Sequence, residues 1–216
     1  MDRVQKQQKQ LHQGITMASR QQQRTLKTRE KVLSSARFLF DSNGYENSSV
    51  DQIAEHAGVS KGTIFVHFSD KASLLTAVRI ENMESIARET LERSRSPVGD
   101  DPVDAMVEIL KPWLDMFAGD REFTRVFMDQ ASLTDPDTAL RLYDACCAME
   151  TAIGRMVDNL IAGQRLSDRF SANIYVQGII AFFYHVLTGL QSGATRNSGE
   201  QEILLRALLQ RWFFAG

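Results

Sequence analysis

Apolar residues recur at helical spacing along nearly the whole chain, and the alternation typical of strands is almost absent. Pro112 falls inside one periodic stretch and predicts a kink or a restart there. We therefore predict an all-α protein of about nine helices. They are placed at residues 27–43, at two short helices between Ser48 and Lys71, and at residues 71–93, 103–118, 121–133, 136–162, 168–192 and 199–214.

The stretch from Ser48 to Lys71 carries the pattern of two short helices joined by a tight turn. Ser49 and Gln52 have the Ser-x-x-Gln spacing of a capping box. Gly58 is suited to end the first helix. This layout is typical of a helix-turn-helix, whose second helix enters the major groove of DNA. The alternative is an ordinary helical hairpin that exposes a few apolar side chains.

In the second helix, Ile64 and Phe68 share one face and are predicted to pack against the first helix. The remaining face carries apolar groups and a glycine, which is unusual for a solvated surface. We expect Lys61, Gly62 and Val66 to contact bases and Phe65 to pack on the DNA backbone. The phosphate contacts are assigned to Ser49, Thr63, His67 and Lys71.

Charge is divided unequally along the 216 residues. The net charge is -2, yet residues 1–80 hold 12 Lys and Arg against 7 Asp and Glu, whereas residues 81–216 hold 13 against 20. A basic first part and an acidic second part suit a protein that places one end on phosphates. The content of 43% hydrophobic and 24% charged residues is that of a globular protein.

Three regions are expected. Residues 1–26 are rich in glutamine with scattered cations, and are interpreted as a flexible tail. The alternatives are a basic arm in the minor groove or a backward extension of the first helix. Residues 27–80 form the DNA-binding domain, and residues 81–216 form a helical domain. A single helix over residues 71–93 is predicted to join the two.

The last two helices are apolar on more than one face, around Ile179 to Leu190 and Ile203 to Phe214. Such helices must be covered on all sides. We expect a second copy of the chain to cover them, giving a two-fold homodimer. The alternative is burial within one subunit.

From Thr28 to about Val78 the chain resembles the DNA-binding domain of the TetR family of bacterial transcriptional repressors. The resemblance lies in Leu39-Phe40, Gly44-Tyr45, Ser49-Val50, Ile53-Ala54, Ala57-Gly58-Val59-Ser60, Gly62-Thr63, His67-Phe68, Lys71 and Leu74-Leu75. One position departs from the family pattern. Phe65 stands where the family usually has tyrosine, which removes a hydroxyl expected to contact a phosphate.

The resemblance implies dimerisation through the last two helices and a small, largely apolar inducer bound between the middle helices. Methionine and aromatic residues in those helices are candidates for its site, although they also suit a plain core. The candidates are Trp113, Phe117, Phe127, Tyr143 and Tyr175, with Asp129 and His185 as polar anchors. His185 is also compatible with a core or interface position.

No pattern of a catalytic nucleophile, phosphate loop, dinucleotide site or metal site is found. We therefore expect no catalytic activity, cofactor or metal. The adjacent Cys146 and Cys147 are interpreted as packing residues rather than a thiol switch. The stretch from Ile174 to Leu190 is too short and too interrupted for a membrane span, so a cytoplasmic protein is expected.

The prediction is a dimeric repressor that binds palindromic operator DNA and is released by a small molecule. Two alternatives stay open, an enzyme and a dimeric DNA-binding or adaptor protein without small-molecule control.

Overall fold

The computed structural model describes residues 2–96, 99, 101–129 and 136–214, and these ranges contain nine helices and no strand. The all-α prediction is therefore confirmed. The helices are α1 (Asp2–Asn43), α2 (Val50–Ala57), α3 (Lys61–His67), α4 (Lys71–Arg93), α5 (Pro102–Gly119), α6 (Arg121–Met128), α7 (Pro136–Ala162), α8 (Ala172–Ser192) and α9 (Ser198–Phe214).

Helix α1 is longer than the pattern predicted, since it begins at Asp2 rather than near Lys27. Glutamine, lysine and arginine are good helix formers, and the first proline of the chain is Pro97. The added turns therefore need no buried apolar face to be helical. The role of residues 1–26 as an arm on DNA stays a prediction.

Two other boundaries also differ from the sequence prediction. Helix α5 continues through Pro112, so the helix does not restart there. Helix α8 begins at Ala172 rather than at residue 168, because the Ser171 side chain accepts a hydrogen bond from the Ile174 amide and caps the helix there. The predicted end of α6 at residue 133 lies outside the described residues.

The chain divides into two compact units, residues 1–78 and 79–216, with the boundary inside α4. In the first unit, α1 packs against α2 and α3. Its core consists of fully buried apolar side chains from all four helices, namely Val32, Ala36, Phe40, Ile53, Ala54, Ile64, Phe68, Leu74, Leu75 and Val78. Leu33 and Leu39, also on α1, are only half-buried.

In the second unit, α5 is the central helix and contacts α6, α7, α8 and α9. Helices α8 and α9 approach closely at Gly178, where a Cβ would overlap the ring of Trp212. Helix α8 is long and apolar enough to cross a membrane by length and composition, yet 44% of that stretch is buried inside the protein. A buried core helix passes the same test.

The part of α4 that belongs to the second unit is held by two ion pairs. Arg79 Nε donates to Asp120 Oδ2 at 2.8 Å. Arg141 on α7 forms a two-pronged pair with Glu84, with both N–O distances at 2.8 Å. Helix α7 is thereby tied directly to α4.

Candidate functional site

The turn between α2 and α3 is fixed by local capping. Ser49 and Gln52 form the predicted capping box, with the Gln52 amide donating to Ser49 Oγ at 3.1 Å and the Ser49 amide donating to Gln52 Oε1 at 2.7 Å. Gly58 ends α2 in the left-handed region at φ 66°, a conformation costly for side chains with a Cβ. The Ser60 side chain then caps α3. The backbone path of a helix-turn-helix is therefore determined by these few residues.

Helix α3 has one buried side and one open side. Ile64 and Phe68 are each 1% exposed, as their spacing predicted. Val66 is 82% exposed and Phe65 is 46% exposed, although both are apolar. Because neither side chain is needed by the core, this surface is available for a partner.

Gly62 lies on the same open side of α3. A Cβ at this position would meet only Ser60 Oγ at 3.7 Å, which is an ordinary contact. Its φ is not positive either, unlike that of Gly58. The fold of this unit therefore does not require a glycine at position 62, whereas an external surface approaching the backbone would.

Two polar members of the open side already have partners. Lys61 Nζ donates to Asp51 Oδ2 at 2.8 Å, but both side chains are more than half exposed, so the pair is weak and exchangeable. The Thr63 hydroxyl lies 2.8 Å from the Ser60 hydroxyl.

At the far end of α3, His67 is half-buried. Burial, together with the charge of Arg29, lowers the pKa of His67 below its usual value. The imidazole is therefore mostly neutral at pH 7 and can donate from one nitrogen. Lys71, at the start of α4, places its ammonium 4.0 Å from the centre of the Tyr45 ring.

The residues predicted to bind an inducer divide into four buried and three exposed side chains. Trp113, Phe117, Phe127 and Tyr175 are fully buried, and the indole nitrogen of Trp113 donates to Thr90 Oγ1 at 2.9 Å. Tyr143 is 66% exposed. Asp129, at the end of α6, and His185, on α8, are also exposed. The structure does not bring these seven side chains together.

A cavity of about 400 Å³ lies at the α7 surface beside Tyr184 of α8. Of the seven candidates, Tyr143 lines it, and Phe127 stacks on the cavity residue Tyr184 with ring centres 6.0 Å apart. The other principal lining residues are Leu142, Cys146, Cys147 and Glu150.

The two cysteines are free thiols in this cavity wall. Burial raises the pKa of the Cys146 thiol to about 12, and the charges of Cys147 and Glu150 add to the shift. Cys146 is therefore protonated and unreactive at neutral pH. This agrees with its interpretation as a packing residue.

Residues 32–78, which contain α2, α3 and the turn between them, match the family model of bacterial regulatory proteins of the tetR family. The chain belongs to the TetR family. A full-length relative is the HTH-type transcriptional repressor AcnR of Corynebacterium glutamicum, 28% identical over 82% of this chain and 88% of that protein. The HTH-type transcriptional regulator UidR of Escherichia coli is 35% identical over 38% of this chain and 40% of its own length.

Solved structures extend the likeness to the second unit of this TetR-family regulator. FadR from Bacillus subtilis, in complex with stearoyl-CoA, superposes with a TM-score of 0.61 at 16% identity, covering 87% of this chain and 98% of that one. FadR from Thermus thermophilus, in complex with lauroyl-CoA, gives 0.58 at 20% identity, covering 84% and 93%. At these identities the likeness shows the fold.

Helix α9 of the TetR-family chain presents an apolar stripe to solvent. Ile203, Ala207, Gln210 and Phe214 follow at helical spacing and are all exposed. Ile203 is 69% exposed and Phe214 is 52% exposed. On α8, Ile174, Ala181 and His185 form a similar exposed row.

Sequence reasoning missed Glu150 and Tyr184 as cavity residues. Glu150 lies one turn after Cys146 on the same face of α7, so helical spacing from Tyr143 gives a signal for it. Tyr184 has no such signal, because it comes from another helix. Within the described residues, no group of three or more metal-binding side chains is found.

Proposed function

We propose that this TetR-family protein is a cytoplasmic, homodimeric repressor that binds palindromic operator DNA through α3 and is released by a small, largely apolar molecule. The observation that carries the DNA-binding part is the open side of α3. There, two apolar side chains are exposed beside a glycine that the fold does not need.

In the proposed complex, α3 lies in the major groove with Lys61, Gly62 and Val66 towards the bases. The absence of a side chain at Gly62 lets the helix backbone come close to the DNA. Val66 is suited to contact a thymine methyl, and Phe65 packs against the sugar-phosphate edge. Lys61 exchanges its weak pair with Asp51 for contacts with DNA.

The phosphate contacts come from both sides of the turn. Ser49 lies at the N-terminus of α2, Thr63 in the first turn of α3, and His67 and Lys71 around its C-terminal end. Helix N-termini favour phosphate because their amide groups point outward. These contacts orient the helix without reading sequence.

Helix α1 offers an additional phosphate-binding surface. Arg20, Arg24, Lys27 and Lys31 are exposed and follow at spacings of four, three and four residues, which places them in one row. This row suits backbone contacts beyond the reach of α3, because such contacts need charge but no fixed geometry.

The dimer is proposed to form through α8 and α9. The exposed stripe with Ile203 and Phe214 gives α9 an apolar face that another copy would cover. Two-fold symmetry then presents two α3 helices to half-sites about 34 Å apart, one helical turn of DNA. The operator is therefore palindromic.

Release by ligand is proposed to run through α7 and α4. The cavity residues Tyr143 and Glu150 lie on α7, which also carries Arg141, the partner of Glu84 on α4. Helix α4 continues without a break into the first unit. A ligand that binds one arrangement of α7 better than another shifts the position of α4. The acyl-CoA complexes of the two FadR structures support ligand binding by this fold.

A second candidate is a dimeric DNA-binding or adaptor protein without small-molecule control. It is favoured by the close packing of predicted ligand residues. Phe117 has ring neighbours in Phe123, Phe127 and Phe183, and it is fully buried. An interior packed in this way serves stability alone. A compound that both stabilises the protein and releases DNA excludes this candidate.

The test of DNA binding is selection of bound sites from random duplex DNA with the full chain. The control is a Lys61→Ala, His67→Ala double variant, which changes two open-side residues and leaves Ile64 and Phe68 in place. We expect the parent to recover a palindrome and the double variant to recover none. Recovery of no enriched sequence by the parent contradicts the proposal.

A further inference from the structure

The described side chains that line the cavity beside α7 include an acid and no cation. Tyr143, Cys146 and Glu150 follow at helical spacing on α7, and Tyr184 faces them from α8. The stacked Phe127 ring supports the ring of Tyr184. No lysine, arginine or histidine is among the described residues that line the cavity.

Glu150 supplies the charge of this lining. It is exposed towards solvent and forms no ion pair with any side chain in the described ranges. Its charge contributes to raising the pKa of Cys146 and of Tyr184, both to about 12, although burial is the larger cause for each. The neighbouring Cys147 side chain is the main cause of a raised pKa of Tyr143, and Glu150 again adds to it. Among the residues that the structure describes, the lining therefore carries one acidic side chain and no cationic one.

We propose that this cavity binds a small organic cation with an aromatic or alkyl body, held by the Glu150 carboxylate and the rings of Tyr143 and Tyr184. A carboxylate beside electron-rich rings attracts a weakly hydrated cation through charge and through cation–π contact. The volume of about 400 Å³ is in the range of small-ligand sites. Leu142, which is buried, provides apolar contact for the body of the ligand.

The same lining disfavours anions. A phosphate, sulfate or carboxylate group would have to enter without a cationic partner and close to Glu150. The acyl-CoA ligands of the two FadR structures carry phosphates, so this site differs in chemistry from what those proteins bind. This inference rests on the proposed function only where the cation is also the molecule that releases DNA.

Binding to the full-length dimer tests the site directly, without DNA. The probe is benzyltrimethylammonium, and its matched anion is benzylsulfonate, which has the same aromatic body. Calorimetry is expected to show the cation binding at least about tenfold more tightly than the anion. Equal binding of the two, or no binding of the cation at millimolar concentration, overturns the proposal.

Variants assign the binding to the named side chains. Glu150→Gln is expected to weaken cation binding by about tenfold or more. Tyr143→Phe keeps the ring and is expected to retain binding within about twofold, whereas Tyr143→Ala weakens it by about fivefold. The control is Asp158→Asn, which removes an exposed acid on the same helix outside the cavity. Unchanged affinity in Glu150→Gln, with Asp158→Asn as the reference, overturns the assignment.

A second experiment tests the charge of the cavity without measuring the affinity of a ligand. In a Cys146→Ala background, Cys147 is converted to a mixed disulfide, with release of methanesulfinate, by two methanethiosulfonate reagents of similar size. One reagent carries a trimethylammonium group and the other a sulfonate. The cationic reagent is expected to react faster, and Glu150→Gln is expected to reduce the ratio of rates by at least about threefold. A ratio that Glu150→Gln leaves unchanged contradicts a negative cavity potential.

The outcomes for the site and for the repressor function are separable. Glu150-dependent cation binding with no effect on operator affinity confirms the site and contradicts its role in release. Cation-induced release of DNA that persists in Glu150→Gln contradicts the site and leaves ligand control in place.

Discussion

The two units of the chain use exposed apolar side chains in different ways. In the first unit, Phe65 and Val66 are exposed on a short helix whose other side is anchored by Ile64 and Phe68. In the second unit, Ile203 and Phe214 are exposed along a helix that packs on α5 and α8. The first surface has cationic and hydroxyl groups around it, whereas the second is mainly aliphatic and aromatic.

This difference indicates different partners. A surface that mixes apolar groups with Lys61, Thr63 and His67 matches the groove of DNA, which offers methyl groups, base edges and phosphates. A mainly apolar stripe matches another such stripe, as in the core of an obligate interface. We therefore propose that the chain carries one polar-rimmed surface for nucleic acid and one apolar surface for a copy of itself.

The largest expected effects come from placing the same charge on each surface. Val66→Asp is expected to lower operator affinity by about 100-fold, because it removes a base contact worth about 1–3 kcal/mol and adds repulsion from phosphates. Ile203→Asp is expected to weaken the dimer by about 3 kcal/mol or more, since it buries an unpaired carboxylate at the interface. DNA binding is measured by fluorescence anisotropy, and assembly by analytical ultracentrifugation.

Each variant serves as the control for the other. Val66→Asp should remain dimeric, and its free energy of unfolding should change by no more than about 0.5 kcal/mol, because the side chain contacts solvent. Ile203→Asp should lose operator affinity only as far as the dimer dissociates. If Val66→Asp dissociates the dimer, or if Ile203→Asp leaves it intact, the division of roles between the two surfaces is wrong.

The contrast also explains which parts of the molecule the sequence could predict. The α2–α3 region depends on residues close in sequence, such as the Ser49–Gln52 capping box and Gly58, so spacing alone located it. Helix faces within it followed from the 3.6-residue period, and Ile64 and Phe68 are buried as expected. The all-α fold followed from the same periodicity.

The effector region could not be located in the same way. Aromatic residues such as Trp113 and Phe117 occur both in protein cores and in ligand sites. Only the packing around them distinguishes the two roles. The observed cavity needs α7 and α8 side by side, so Tyr184 joins Glu150 only through tertiary structure. The length of α1 was missed for another reason, since residues 1–26 are mostly polar and rich in glutamine, which is also typical of a flexible tail.

A smaller effect is expected from the protonation of His67. Its pKa is lowered in the free protein by burial and by Arg29, and a nearby phosphate would raise it in the complex. The complex then binds more protons than the free protein, so operator affinity increases as pH falls through the window below 6.5. We expect an increase of about three- to tenfold between pH 7.5 and 5.5.

His67→Gln is expected to abolish this pH dependence, whereas His185→Gln on α8 is expected to keep it. The stability of the protein depends on pH in the opposite direction from its affinity for DNA. A lowered pKa in the folded state means that the stability contributed by neutral His67 is present above pH 6.5 and is lost as pH falls towards the lowered pKa. Equal pH dependence of DNA binding in the parent and in His67→Gln contradicts a phosphate contact by this residue.

The last expected effect is a modest loss of stability from the link between α7 and α4. Glu84→Gln removes the charge from a partly exposed pair, so the free energy of unfolding should fall by only about 1 kcal/mol and Tm by about 2–4 °C. The Arg141 hydrogen bonds lower the pKa of Glu84, and its contribution to stability is therefore present above its usual pKa and lost as pH falls below it. Asp115→Asn, in the exposed pair with Lys111, is the control and should change neither the free energy of unfolding nor Tm.

If the Glu84–Arg141 pair also transmits ligand binding, Glu84→Gln should reduce the effect of ligand on operator affinity by more than its loss of stability explains. Retained coupling in that variant would mean that α7 acts on α4 through packing alone.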